Sequence, residues 1–329
     1  MRKSEQYKGF LKKRGQEIYN PPLSCYVTHP PFPKDMLVEV TNRCNHACVF
    51  CMNNKMTRKK GEIDSALLVT ILKQAHALGV KSVGFYSTGE PLMFKDIDFA
   101  VGTAKRLGYE YIYLTTNGAL ADLAKIKGLV ARGLDSIKFS INALSSDTYR
   151  LVHGRDDYEQ VLKNVKALRQ YRDDSDVPLR IGISYVVTDD NRSEVAQAKS
   201  LFEELADDTG FFEEGNQGGY MSRRGKPSNV VLPCNLLFNR IHISCEGYLT
   251  LCCVDYQDYL AVADLRETSL ADAWTTPAAV GIRERHLAGN VEGTLCYNCV
   301  YCKSVAVLPL VAELATIFDF ESGSLKQGE

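Results

Sequence analysis

Residues 36–53 read MLVEVTNRCNHACVFCMN. Met36–Val40 is apolar except for one position and predicts a strand. The strand runs straight into Cys44, Cys48 and Cys51, spaced C-x3-C-x2-C. Steps of three and four let three thiolates converge on one point, whether the backbone coils as a helical turn or as a loop. Three is one ligand fewer than a structural zinc site uses. A cubane cluster takes four cysteines, so three would leave one iron open to a small molecule. A zinc site completed by His46, or three unligated buried thiols, are the competing readings.

Working outward, strand and helix patterns alternate. Asp64 is placed to cap a helix running to about Gly79, with Leu68, Ile71, Leu72, Ala75 and Leu78 on one face. Ser82–Tyr86, Tyr111–Thr115, Ser136–Ile141, Arg180–Val187 and a short Gly210–Phe212 read as further strands. Ile97–Leu107, Leu120–Arg132, a stretch from Tyr158 to Leu168 and Glu194–Leu205 read as helices between them. Repeated β-α units with right-handed crossovers predict a parallel sheet curling toward a barrel. Six units fall short of the eight that close one. The fold class expected is therefore α/β, a partial (β/α)6 TIM-like barrel over residues 36–215, after an N-terminal extension at 1–35.

Residues 216–232 are polar and rich in Gly and Ser, and read as a linker. Tyr220, Arg223, Arg224 and Lys226 there are placed to act as a lid over a polar substrate. Residues 233–329 form a second, small α+β module. Ile241–Ser244 and Tyr248–Leu251 predict a hairpin around Glu246-Gly247. Two short helices near 269–274 and 278–288 follow, then the last cysteines and a C-terminal amphipathic helix.

Lys and Arg total 39 against 40 Asp and Glu among 329 residues, a net charge of −1 that gives no electrostatic reason to expect nucleic acid or an anionic membrane as partner. The first residues lack the apolar core of a signal peptide. The apolar stretch Val305–Phe318 is broken by Pro309 and Glu313 and is too short to span a bilayer. A cytoplasmic protein is expected. Its eleven cysteines leave the 182 residues between Cys51 and Cys234 empty. Such clustering in an unsecreted protein points to metal or redox chemistry rather than a disulfide framework.

The second cluster is spread along the chain. Cys234-x12-Gly247-x4-Cys252 puts two cysteines either side of the hairpin, and Cys296-x2-Cys299 supplies two more from a loop, with Cys302 close behind. Four thiolates complete a cubane with no open iron, and the same four would equally build a zinc ribbon. Cys25, Cys245, Cys253 and Cys302 are left over, each first read as a small buried apolar residue.

The first motif, C-x3-C-x-aromatic-C after the first strand of a partial barrel, resembles the radical S-adenosylmethionine (SAM) superfamily. Further motifs follow at successive strand ends. Ser87-Thr88-Gly89-Glu90-Pro91 resembles the family's GGEP, with Ser-Thr in place of Gly-Gly. Thr115-Thr116-Asn117-Gly118 resembles its TNG turn, and Ser140 with Asn142 ends the fourth strand. The resemblance implies that Cys44, Cys48 and Cys51 hold a [4Fe–4S] cluster that binds SAM. It places Phe50 and Val187 near the adenine, Thr88, Gly89 and Glu90 at the methionine amino group, and Asn117, Ser140 and Asn142 at the ribose or carboxylate. Residues 233–329 resemble the SPASM and twitch modules of that family, which implies an auxiliary [4Fe–4S] cluster on Cys234, Cys252 and two of Cys296, Cys299 and Cys302, with Cys296 and Cys299 the favoured pair. A full SPASM module uses seven cysteines, and the shorter one-cluster twitch form fits better.

The resemblance also implies a reaction. A 5′-deoxyadenosyl radical abstracts hydrogen from a small polar substrate, with oxidation or epimerisation as the outcome. Sugar- and aminocyclitol-modifying members are the expected relatives. Cys253, beside Cys252, is the expected catalytic hydrogen donor if the outcome is epimerisation. Peptide maturation is the alternative, set back because only about 35 residues precede the first strand. Nucleotide cyclisation for molybdopterin is set further back, since the chain ends KQGE without the Gly-Gly of that family. A non-catalytic zinc or iron–sulfur protein is the alternative of another class. The expected electron donor is a flavodoxin or ferredoxin.

Overall fold

The computed structural model describes residues 18, 20–221 and 231–324. The chain alternates β1 (Asp35–Val38), α1 (Ser65–Ala77), β2 (Ser82–Phe85), α2 (Ile97–Leu107), β3 (Tyr111–Thr116), α3 (Leu123–Arg132) and β4 (Ser136–Ser140). It continues with α4 (Ser146–His153), α5 (Tyr158–Ser175), β5 (Arg180–Val187), α6 (Val195–Leu205) and β6 (Asp208–Glu213). These six strands are parallel and neighbour one another in sequence order, as expected of a partial barrel. Capping follows the sequence signals: Asp64 accepts from the Ala66 and Leu67 amides at the start of α1.

Register separates two faces. Met36, Val38, Val83, Phe85, Ile112, Leu114, Ile137 and Phe139 join the helices in the main core, burying the apolar stripe that each amphipathic helix presents. The alternate positions Leu37, Gly84 and Tyr113 lie side by side across β1, β2 and β3 on the inner face. A Cβ at Gly84 would sit 2.6 Å from both Leu37 and the Tyr113 ring, so the floor of the lumen closes only over a glycine.

The second half departs from expectation. α7 (Leu236–Asn239), β7 (Ile241–Ile243), β8 (Tyr248–Thr250) and β9 (Ala261–Asp264) follow the linker. β7 pairs parallel with β1, and β8 and β9 add on antiparallel, so one nine-stranded sheet ordered β6-β5-β4-β3-β2-β1-β7-β8-β9 runs through both halves. The hairpin is real, but its third strand and its seat on the barrel edge depend on long-range pairing that local pattern does not carry. α8 (Leu270–Ala273) and α9 (Pro277–Leu287) match the two expected short helices. Cys296 and Cys299 lie on a helix, α10 (Leu295–Tyr301), rather than on a loop.

The expected C-terminal helix is absent from the described residues: beyond α10 there is only a 3-10 turn at Ala312–Leu314. Pro309 removes a donor. The amides of Leu308, Leu310 and Thr316 bond instead to the carbonyls of Gly293, Tyr259 and Gln257, so the segment is held extended by its neighbours. Arg223, Arg224 and Lys226 of the expected lid lie outside the described residues, whereas Tyr220 packs face to face on Phe320 at 5.0 Å.

Candidate active site

The loop from Thr41 to Asn53 is fixed by its own polar side chains. Asn42 accepts from the Gly61 amide (2.8 Å) and donates to the Lys59 carbonyl (2.9 Å). Asn53 donates to the carbonyls of Asn42 (2.8 Å) and Thr88 (2.7 Å), tying the loop to the end of β2. A Cβ at Gly89 would lie 2.2 Å from the Thr41 carbonyl oxygen, so the β2 loop reaches the cysteine loop only because residue 89 is glycine. The next amide, Glu90 N–H, then donates to the Arg43 carbonyl at 2.8 Å.

Glu90 is buried, and its carboxylate accepts from Thr116 Oγ1 (2.7 Å), the Asn117 amide (2.8 Å) and the Leu92 amide (3.0 Å). Burial raises its pKa above the ordinary carboxylate range and these donors pull it back. Asn117 Nδ2 donates to Asn45 Oδ1 (2.8 Å). Glu90, Asn117 and the cysteine loop therefore meet at one rim, at the carboxyl ends of the strands where such folds bind ligands.

Other expected contacts sit differently. Asn142 is fully buried, accepting from the Val186 amide (2.6 Å) and donating to Ser140 Oγ (3.3 Å), so its side chain positions β5 and Ser140. Val187 packs in the helix-side core, and the half-buried Val186 alternates to the inner face. Thr88 Oγ1 donates to Glu39 in the barrel wall. Phe50 lies edge-on to His153, 6.4 Å between rings.

His46 does not turn toward Cys44 and Cys51. Its Nε2 faces Asp157 Oδ2 (3.1 Å) and its Nδ1 faces His153 Nδ1 (3.3 Å). His153 Nε2 accepts from the Asn142 amide (3.2 Å), which leaves the hydrogen of the neutral ring on Nδ1, 3.5 Å from Cys48 Sγ. The sequence shows His46 but not this partner, because α4 was not anticipated. Its signals were present in Ser145, which caps Thr148, and Gly154, which ends the helix with φ 65°. Burial pushes the Cys44 thiol up to about 11, and burial plus its two neighbours pushes Cys48 up as well. A bound metal would reverse that preference. An all-sulfur set of three with a polar rim opposite fits an iron–sulfur cluster with one open position.

Cys234, Cys252, Cys296 and Cys299 line one cavity, closed by leucine and valine side chains. Burial pushes Cys234 up to about 12, and Cys252 and Cys296 are raised by burial and by their neighbouring cysteines. Four convergent sulfurs in an apolar shell fit a closed cubane. Cys302 ends α10 in the left-handed region (φ 52°) and does not line this cavity. Cys253 turns the other way from Cys252 and packs on the inner-face cluster of Leu37, Tyr111 and Tyr113.

Comparison with known proteins agrees with this geometry. Residues 38–199 match the radical SAM superfamily and residues 234–300 match the SPASM iron–sulfur cluster-binding domain. The chain carries a radical SAM domain followed by a SPASM domain. Its two matched domains imply SAM and two [4Fe–4S] clusters. A probable GTP 3′,8-cyclase of Saccharolobus solfataricus is 32% identical over 177 residues, 52% of this chain and 54% of that protein, so the match spans about half the relative's length. A SAM-dependent 2-deoxy-scyllo-inosamine dehydrogenase of Niallia circulans is 23% identical over 266 residues, 80% of this chain and 90% of that protein. The structure of BtrN with AdoMet and 2-DOIA aligns with TM-score 0.56 and 18% identity, covering 86% of this chain and 96% of that one. Streptococcus suis SuiB bound to the precursor peptide SuiA aligns with TM-score 0.64 and 17% identity, covering 84% and 70%.

Two features of this radical SAM chain were not legible in its sequence. A cavity of about 380 Å³ beside Cys48 and Cys51 is walled by Tyr220, Met221 and the 320–323 segment. Below the rim, buried Arg58 binds Glu39, Glu246 (3.1 Å) and Asp258 (3.1 Å), knotting the first strand, the hairpin and the turn after β8 together. Burial by itself would raise Glu39, but the Arg58 guanidinium holds it below its ordinary value.

Proposed function

We propose that this enzyme oxidises a small polar substrate of the sugar or aminocyclitol class, held in the barrel lumen, by removing a hydrogen atom and then an electron and a proton. When bound, SAM on the first cluster supplies the hydrogen-abstracting 5′-deoxyadenosyl radical, and the second cluster supplies an electron acceptor. Cys44, Cys48 and Cys51 would hold the first cluster, with Glu90, Asn117 and Ser140 around SAM. Cys234, Cys252, Cys296 and Cys299 would hold the second.

The observation that carries the reading is the turn Cys252–Tyr256. Cys252 lines the four-sulfur cavity, Cys253 faces the lumen, and Tyr256 Oη lies 3.6 Å from Cys51 Sγ while donating to Gln217 (2.9 Å). Five consecutive residues thus touch both cysteine sites and the space between them. An electron leaving a substrate in the lumen has a short way to the closed site. The dehydrogenase of Niallia circulans, matched over most of its length, supports the same class.

Epimerisation is the second reading, and Cys253 favours it. Its thiol packs on the inner-face cluster of Leu37, Tyr111 and Tyr113, where a hydrogen donor to a lumen-bound substrate would sit. Peptide maturation is the competing substrate class, that of the SuiB complex. A flavodoxin or ferredoxin is the proposed electron donor. Among the described residues no helix is long and apolar enough to cross a membrane.

The deciding experiment is anaerobic. The reconstituted protein is given SAM, dithionite and deuterated sugars, aminocyclitols or peptides, and deuterium is sought in 5′-deoxyadenosine. Deuterium transferred from a cyclitol, with a carbonyl product and no solvent deuterium at carbon, supports the proposal. Solvent deuterium at the reacting carbon in D2O, lost in Cys253→Ala, would establish epimerisation instead. Transfer from peptides alone would replace the substrate class. A colourless protein making no 5′-deoxyadenosine would sink the radical reading.

A further inference from the structure

His286 lies on α9, one turn after Arg283, and both are buried. Arg283 is locked in place. Its Nε donates to the Leu237 carbonyl (3.0 Å), its Nη1 to the Trp274 carbonyl (2.8 Å), and the guanidinium lies 4.0 Å over the Trp274 ring. Residues three apart share a helix face, so this anchor also sets where His286 points. It points into the cavity lined by Cys234, Cys252, Cys296 and Cys299.

The ring's hydrogen can be placed from its neighbours. The Cys234 amide donates to His286 Nδ1 at 3.2 Å. A nitrogen that accepts holds its lone pair, so the hydrogen is on Nε2. That Nε2 is buried and has no hydrogen-bond partner among the described residues. Leaving a buried donor unmade is costly, and the described side chains around this cavity are otherwise sulfur or hydrocarbon. A sulfur held in the cavity would be the acceptor that this N–H lacks.

We propose that His286 donates a hydrogen bond from Nε2–H to a sulfur of the auxiliary cluster and thereby raises that cluster's reduction potential. The inference rests on the four-cysteine reading of the second site. Reduction adds negative charge to the cluster sulfurs, and a fixed donor stabilises that state more than the oxidised one. His286 is a positioning and tuning residue, since it reaches the reaction only through the cluster.

The test uses the full chain, reconstituted anaerobically, with the midpoint potential of each cluster read by EPR-monitored redox titration. In His286→Phe the auxiliary potential falls while that of the SAM-binding cluster stays. His286→Gln, whose amide offers both an acceptor to the Cys234 amide and a donor to the cavity, returns it toward the wild-type value. Labelling histidine with ¹⁵N gives an independent reading in the wild type: a ¹⁵N coupling on the reduced auxiliary signal, lost in His286→Gln. An unchanged auxiliary potential in His286→Phe overturns the proposal, and so does an absent ¹⁵N coupling. If His286→Phe cannot hold the cluster, the coupling alone decides. A wild type with only about four irons per chain overturns the four-cysteine reading itself, and the iron count shows this before any potential is measured.

Discussion

The two cysteine sites set the same side chain in opposite surroundings. Cys44, Cys48 and Cys51 belong to one loop, and the groups around them are polar: Glu90 and Asn117 at the rim, His153 behind Cys48. Cys234, Cys252, Cys296 and Cys299 come from three separate segments into an apolar cavity, where His286 is the single polar side chain among the described residues apart from the thiols. A site that must accept and release a charged small molecule needs an open position and hydrogen-bonding walls. A site that only takes or gives an electron is better closed and dry, because burial and fixed donors set its potential. One loop can supply three ligands cheaply, whereas a fourth would close the position that the chemistry needs open.

Single substitutions can break this comparison. The largest effect is expected for Cys48→Ala, which should abolish 5′-deoxyadenosine formation and remove about half of roughly eight irons per chain, measured by iron assay and chromatography. Cys252→Ala should remove the other half, with SAM cleavage still measurable and the oxidised product lost. If both variants lost the same irons and the same activities, the two sites would not be separate.

The knot that joins them comes next. Arg58 is 5% exposed and serves three carboxylates, so Arg58→Met leaves buried charge uncompensated and should cost about 3–5 kcal/mol. Thermal unfolding of the iron-loaded protein checks this. An unchanged melting temperature would mean that the halves are held together without it.

The smallest effect concerns the barrel between the sites. His242, on β7 beside Leu37, is 2% exposed and neither ring nitrogen has a partner among the described residues. Burial, and then Arg240, holds its pKa well below the usual imidazole range. The unfolded chain takes up a proton near pH 6.5 and the folded chain does not. Stability from this group is therefore complete above that pH and is lost as pH falls below it. His242→Phe should make the fall shallower by up to about 1.4 kcal/mol per pH unit, read from denaturant titrations at several pH values. An unaltered slope would locate the acid sensitivity elsewhere.

Much of the catalytic half was legible in the chain because its signals are local. Ile97–Leu107 and Arg180–Val187 were read from periodicity with the bounds that the structure gives them. The helix α4 was missed, and with it the partner of His46 and Cys48, because eight residues give too short a pattern to outweigh the loop signals around them. Asn142 reads as a site contact from its place at a strand end, yet the Val186 amide, Ser140 and His153 take up its whole side chain. Position along a strand does not say which face a side chain meets or what has already claimed it.

What the sequence by itself determined is what neighbouring residues settle among themselves: the β-α alternation, three cysteines within one turn-forming loop, and the glycine and acid of Gly89-Glu90. Only the tertiary structure decided that β7 completes the barrel edge, that Cys296 and Cys299 rather than Cys302 meet Cys234 and Cys252, and that Cys253 faces the lumen. Groups tens of residues apart are brought together by strand pairing and by burial of apolar faces, and those are properties of the packed whole.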